Sequence, residues 1–374
     1  MASTEDILLE LVRAALWQHE PSTDGFPLGE AEWHQLYFMA RKQTVEGIVY
    51  DAVCQLPEDL LPPTDLLMDW MREVQVIEAT HQQHLRALAW LTARTEAESA
   101  LRPIVLKGLP LASLYPTPSH RVSGDIDLYY GSSAAAEEAD RMVESWGTPV
   151  NRGEQGESIF AISQVPIEHH AFLALSHVPW RKHRLTAWIE RTMTKDTATR
   201  QVMVENMPVR VLSAEIDMVQ LGSHNLKHSL NEGIGLRQLC DLALFVCHNQ
   251  AALAAAPLKD LLSRFGLRRW TDLCLAYCVE HLGLPASKLP YPVKASSHLV
   301  EAMHREVMQS GNFGKMDDRY DIGGEGNQSA TAQRITNNVW RYFSLSPQES
   351  LCWYAGLIGR RLKERITGKP EEQA

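Results

Sequence analysis

The residues with chemistry to offer in this 374-residue chain gather around one short stretch, Asp125-Ile126-Asp127-Leu128. In an extended strand, side chains two residues apart share a face. Asp125 and Asp127 therefore project together while Ile126 and Leu128 pack behind them. Carboxylates spaced about 6–7 Å along a strand repel one another unless a cation sits between them. Magnesium suits such a place, because it takes hard oxygen ligands, keeps several waters and binds through one or two carboxylates plus substrate phosphates. An Asp-x-Asp on a solvated face needs none of this, so the pair has to be weighed with its surroundings.

Phosphoryl and nucleotidyl transfer use two metal ions roughly 3.5–4 Å apart, which together stabilise the entering and leaving oxygens. Two aspartates supply part of such a site, and a third carboxylate on a neighbouring strand would complete it. Glu168, in Ile167-Glu168-His169-His170 and flanked by core-forming Pro166, Ala171, Phe172 and Leu173, is the candidate. The plainer reading is an ordinary edge-strand glutamate. Lys107-Gly108 offers a second element: glycine lets backbone approach a phosphate, and Lys107 at a strand end is a point charge for a triphosphate. Arg121, four residues before Asp125, either adds another positive group or pairs with the aspartates.

Further along, His224, Lys227 and His228 fall at i, i+3 and i+4, so they share one helix face. They form either a cationic wall facing the triphosphate or acceptor, with Lys227 and His228 as nucleotide contacts, or a buried polar network locking two helices together. A zinc site on His224 and His228 would need a third ligand. Arg237 and Asp241 lie four apart on the next helix and could form an ion pair. His170 is expected at most to line the site, and His169, His81 and His84 are given no role.

These residues need a scaffold, and the chain divides into three parts. Residues 1–98 read as helical, with apolar helical spacing over residues 7–12 and 33–54, a proline break at 61–65 and a long helix over 66–99. Residues 99–212 read as a small α/β core with a mixed sheet. It has strands at 103–106, around the Asp-x-Asp, at 158–163 and 165–175, with helices at 109–114 and 134–146, the latter capped from Gly131-Ser132-Ser133. Residues 213–374 return to helix, opening on a capping box at 213–216 and continuing over 236–248, 258–282, 297–309 and 332–366. The glycine-rich stretch within 316–331 reads as a loop or lid, and residues 369–374 as a disordered polar tail. The expected fold class is α+β, a mixed-sheet core flanked by helical regions.

Hydrophobic residues make up 45% and charged residues 22%, values that support a genuine core. The net charge of −10 argues against a general nucleic-acid or anionic-membrane binder, which would carry broad basic patches. No apolar run approaches the roughly 20 residues needed to cross a bilayer. No signal peptide is evident, and a cytoplasmic location is expected. The six cysteines lack any Cys-x-x-Cys and are expected to be reduced core residues.

Taken together, Val105-Leu106-Lys107-Gly108, Arg121, Gly124-Asp125-Ile126-Asp127-Leu128 and Ile167-Glu168-His169 resemble the nucleotidyltransferase superfamily. More closely, they resemble a bacterial branch of largely uncharacterised nucleotidyltransferases found beside peptide and polysaccharide biosynthesis genes, in which Lys-Gly replaces the Gly-Ser signature. The likeness extends to residues 224–228 and 233–241, loosely to 311–314, and so spans about residues 80–315. It implies that Asp125 and Asp127 bind metal, that Glu168 is the third carboxylate, and that Lys107, Gly108 and Arg121 contact nucleotide. The implied activity moves a nucleoside monophosphate from a nucleoside triphosphate to a hydroxyl of a small-molecule, peptide or protein acceptor, with two Mg2+ ions. The same residues would serve a kinase, and a core of this kind could also be a non-catalytic binding module of a biosynthetic pathway.

Overall fold

The computed structural model describes residues 2–153, 156–173, 176–314, 316–320 and 328–367. Four helices come first: α1 (Thr4–Trp17), α2 (Glu30–Lys42), α3 (Glu46–Val53) and α4 (Thr64–Glu98). α1 starts on a capping box in which Ser3 Oγ accepts from the Asp6 N–H at 3.1 Å while Asp6 Oδ2 accepts from the Ser3 N–H at 2.9 Å. The apolar pattern over residues 33–54 is not one helix. It breaks after Gln43, where Thr44 takes a positive φ of 53°. Leu66, Trp70, Val74, Ile77, His81, Leu85, Leu88 and Leu91 form the buried stripe of α4 at three- and four-residue intervals.

The α/β unit follows. β1 (Ile104–Leu106), β2 (Ile126–Tyr129), β3 (Asn151–Arg152), β4 (Glu157–Ile162) and β5 (Val165–His170) form a sheet in the order β1-β2-β5-β4-β3. β2 and β5 run parallel and every other pair antiparallel. α5 (Gly108–Ala112) follows β1, and α6 (Ser133–Ser145) follows β2 from an N-cap in which Ser132 accepts from the Ala135 N–H. The strand expected over 165–175 ends at His170, and residues 174–175 lie outside the described residues. Helix α7 (Pro179–Met193) and a separate hairpin, β6 (Thr199–Val204) with β7 (Met207–Leu212), complete this part. Sequence reading assigned no element there. The hairpin turns through Glu205 at φ 51°, without the glycine that usually marks such a turn.

The remaining helices are α8 (Ala214–Asn231), α9 (Leu236–His248), α10 (Gln250–Ala255), α11 (Leu258–Phe265), α12 (Arg268–Leu282), α13 (Ser297–Ser310), α14 (Gln328–Arg341) and α15 (Pro347–Thr367). Ser213 caps α8 without the expected capping box: its hydroxyl makes no cap bond, and the third helical residue is Ile216, which has no polar group to reach back. The helix expected over 258–282 is interrupted at Gly266, at φ 73°, and the one over 332–366 divides between α14 and α15. The glycine-rich residues 323–327 and the tail 369–374 lie outside the described residues.

Two buried clusters hold the elements together. One runs through the N-terminal and C-terminal helices alike, and the other lies between the sheet, α4, α6 and the β6-β7 hairpin. α1 is tied to α12 where Arg13 donates to the His281 carbonyl and Trp17 to that of Leu282. Gln43 spans three segments, accepting from the Leu236 N–H at 2.9 Å and donating to the Val307 carbonyl at 2.8 Å. All six cysteines are free: Cys240, Cys274 and Cys278 are buried, whereas Cys54 is exposed. Among the described residues no helix is long and apolar enough to cross a membrane.

Candidate metal centre at the strand carboxylates

The sheet register builds the site. Asp127 pairs across to Leu106 on β1 and lies directly beside Glu168 on β5. Partners in register share a face, so Asp127 and Glu168 come together, with Asp125 two residues before one and His170 two residues after the other. Both strands are interior to the sheet rather than at its edge. Ile126, Leu128 and Ile167, at 2% exposure or less, are the packing behind them. His169 points the opposite way into the core, where its Nδ1 meets Asp140 Oδ1 at 2.7 Å and its Nε2 the Tyr130 hydroxyl at 3.2 Å.

Lys107 enters from the end of β1. Its Nζ lies 3.1 Å from Asp127 Oδ1 and 3.3 Å from His224 Nε2 on α8. The backbone turns sharply here, with Lys107 at φ 49° and Gly108 at φ 40°. A lysine rarely adopts that conformation, and such strain persists only where surrounding structure imposes it. Asp127 Oδ1 also receives His170 Nε2 at 2.6 Å, and that nitrogen is 3.6 Å from Glu168 Oε2.

Burial and charge divide the carboxylates. Burial alone would raise the Asp127 pKa, but the Lys107 ammonium and the His170 hydrogen bond outweigh it and hold Asp127 well below the usual carboxylate range. Glu168 goes the other way, pushed up to about 7 by burial and by the negative charges of Asp125 and Asp127. A cation would remove that repulsion. Among the described residues, ligand atoms of Asp127, Glu168 and His170 lie within 4.8 Å of one another. Two carboxylates and an imidazole on one face of the sheet form a donor set that fits a divalent ion. Sequence reasoning gave His170 no ligand role, although its i+2 spacing from Glu168 was the available signal.

The other expected site residues are placed differently. Arg121 was expected to reach nucleotide, but it is 3% exposed, with its Nε and Nη2 each 2.7 Å from an oxygen of Asp241. Tyr115 donates to the same carboxylate at 2.7 Å. This occupies the guanidinium fork and makes Arg121 an anchor for the run leading to Asp125. The expected Arg237–Asp241 pair is correspondingly absent, because Arg237 donates to the Val122 carbonyl at 2.9 Å. On α8, His224 is kept neutral by burial and by the Lys107 charge. Its ring packs edge-on against His228, which bonds Glu232 at 3.1 Å, while Lys227 reaches Glu157 on β4 at 3.4 Å. His224 thus touches the site through Lys107, and Lys227 and His228 pair with carboxylates of their own.

A crystal structure of an antigenic nucleotidyltransferase-like protein from Paracoccidioides brasiliensis is similar to this chain at 13% identity, covering 60% of this chain and 94% of that one with a TM-score of 0.31. Comparison with curated proteins found no match. A family model described as uncharacterised nucleotidyltransferase matches residues 29–283, which take in the strand carboxylates, Lys107 and helices α8 and α9. Matched over more than half its length, the chain belongs to that uncharacterised nucleotidyltransferase family.

Proposed function

We propose that the protein is a magnesium-dependent nucleotidyltransferase that moves a nucleoside monophosphate from a nucleoside triphosphate to a hydroxyl of a small-molecule, peptide or protein acceptor. The observation that carries this reading is the register of Asp127 against Glu168, with Lys107 3.1 Å from Asp127 and the Asp125 charge, just before the strand, close enough to raise the Glu168 pKa. Asp125, Asp127 and Glu168 would hold two magnesium ions, which when bound would neutralise charge on the entering and leaving oxygens. The chain's own residues have the remaining work. Lys107 supplies a positive charge for phosphate oxygens, and Gly108 leaves room for them beside a tight turn. Glu168 would help activate the acceptor hydroxyl from its place beside Asp127. Lys227 and His228 would meet the triphosphate or acceptor from α8 by exchanging their present carboxylate partners. The acidic net charge favours a non-polymerising acceptor.

Calorimetry with ATP, GTP, CTP and UTP, each with and without magnesium, tests the reading on the wild type and on Asp125→Asn/Asp127→Asn. The expected result is magnesium-dependent binding that the double variant loses. A wild type that binds none of the four would remove the transferase reading and leave a binding module. Release of pyrophosphate rather than nucleoside diphosphate then separates nucleotidyl transfer from kinase action.

A further inference from the structure

The face that carries the carboxylates also carries a nitrogen donor. We propose that His170 Nε2 is a direct ligand of one of the two cations, shared with Asp127 and Glu168, and that this position takes manganese in preference to magnesium. This rests on the transferase reading for the existence of a cation site. His170 follows Glu168 by two residues on β5, so both side chains leave the sheet on the side of Asp127. Its Nε2 lies 2.6 Å from Asp127 Oδ1 and 3.6 Å from Glu168 Oε2. Neighbouring ligands around an ion bonded at about 2.1 Å sit about 3 Å apart, close to those spacings.

A histidine that only orients a carboxylate addresses one of them. His169 is such a residue: buried on the other face, it gives Nδ1 to Asp140 alone and Nε2 to a tyrosine hydroxyl. The Nε2 of His170 instead faces two carboxylates that both belong to the candidate centre. Imidazole suits transition ions, whereas carboxylate and water suit magnesium. The Asp127, Glu168 and His170 position is therefore mixed in donors, and manganese accepts both kinds. Asp125 is not one of the three residues of this cluster.

The test is manganese binding to the full chain followed by electron paramagnetic resonance, with magnesium as competitor, on wild type, His170→Gln and His224→Gln. Nitrogen-14 modulation of the spin echo is expected in wild type and in His224→Gln, and is expected to vanish in His170→Gln. That variant should lose about ten-fold or more in manganese affinity and less than about three-fold in magnesium affinity. Bound manganese without nitrogen modulation in the wild type overturns the proposal, as does an equal loss of both ions in His170→Gln, which would make the histidine a positioning group for Asp127. A wild type that binds neither ion, with or without nucleoside triphosphate, removes the transferase reading as well. Should His170→Gln fail to fold by circular dichroism, the wild-type and His224→Gln spectra decide.

Discussion

Replacing Asp241 by asparagine should unmake the anchor that leads into the candidate site. The Asp241 carboxylate accepts from Arg121 Nε and Nη2 and from the Tyr115 hydroxyl, each at 2.7 Å, in a place where Arg121 is 3% and Asp241 6% exposed. Asparagine keeps one oxygen and turns an NH2 toward guanidinium donors. At least one charge-assisted bond is lost, about 1.5–3 kcal/mol. The guanidinium is also left buried without its counter-charge, and breaking one side of a buried pair costs about 3–5 kcal/mol in total. Against a total stability on the order of 10 kcal/mol, that is a third or more. Arg121→Met/Asp241→Leu removes both bonded charges and should cost less than Asp241→Asn alone, since the Arg121 guanidinium is no longer buried unpaired; what is left is the Tyr115 hydroxyl without its acceptor and Arg237 without the nearby Asp241 charge. Denaturant unfolding followed by tryptophan fluorescence compares the variants. An Asp241→Asn cost below about 1 kcal/mol, or a double variant less stable than the single one, would refute the buried-pair argument.

Two titrations follow from the same electrostatics. Glu168 is raised to about 7 by burial and by Asp125 and Asp127, so below that value a proton competes with a cation. Cation affinity should climb as pH rises through about 7 and level off above it, with a proton released on binding; calorimetry in two buffers of different ionisation enthalpy measures this, and a flat profile from about pH 6 to 8 would contradict it. His120 sits between Asp51 at 2.7 Å and Glu78 at 3.0 Å. Burial works to lower its pKa, but the bonds and charges of Asp51 and Glu78 prevail and raise it. Its stabilisation is complete below the unfolded histidine value of about 6.5 and is lost as pH rises through the higher folded value. Wild-type melting temperature should therefore fall across that interval more than that of His120→Asn, and parallel curves would show that the ring carries no such charge.

Much of this architecture is written in short-range pattern. Period-two alternation turns Asp127 away from the buried packing of Ile126 and Leu128, and helical spacing marks α4, α8 and α9, because neighbours in sequence set both. The class, a mixed sheet between helical flanks, follows from the same reading. Local signals failed where they were weak. The β6-β7 hairpin has half-exposed strands and no glycine turn, and the capping motif at Ser213 lacks a polar third residue.

What the sequence could not decide was which charged group meets which. Arg121 and Asp241 are 120 residues apart, and Lys107 and His224 are 117 apart. From spacing, Arg237 was the nearer partner for Asp241, four residues away on one helix. Tertiary packing brought Tyr115 and Arg121 to Asp241 instead and left Arg237 on the Val122 carbonyl. It also chose β5 as the parallel neighbour of β2, which sets Glu168 and His170 against Asp127. A buried charge selects its partner by position in the folded chain, since only there is water absent and the interaction strong. The sequence by itself determined the donors and their faces, and the folded sheet decided which of them stand together.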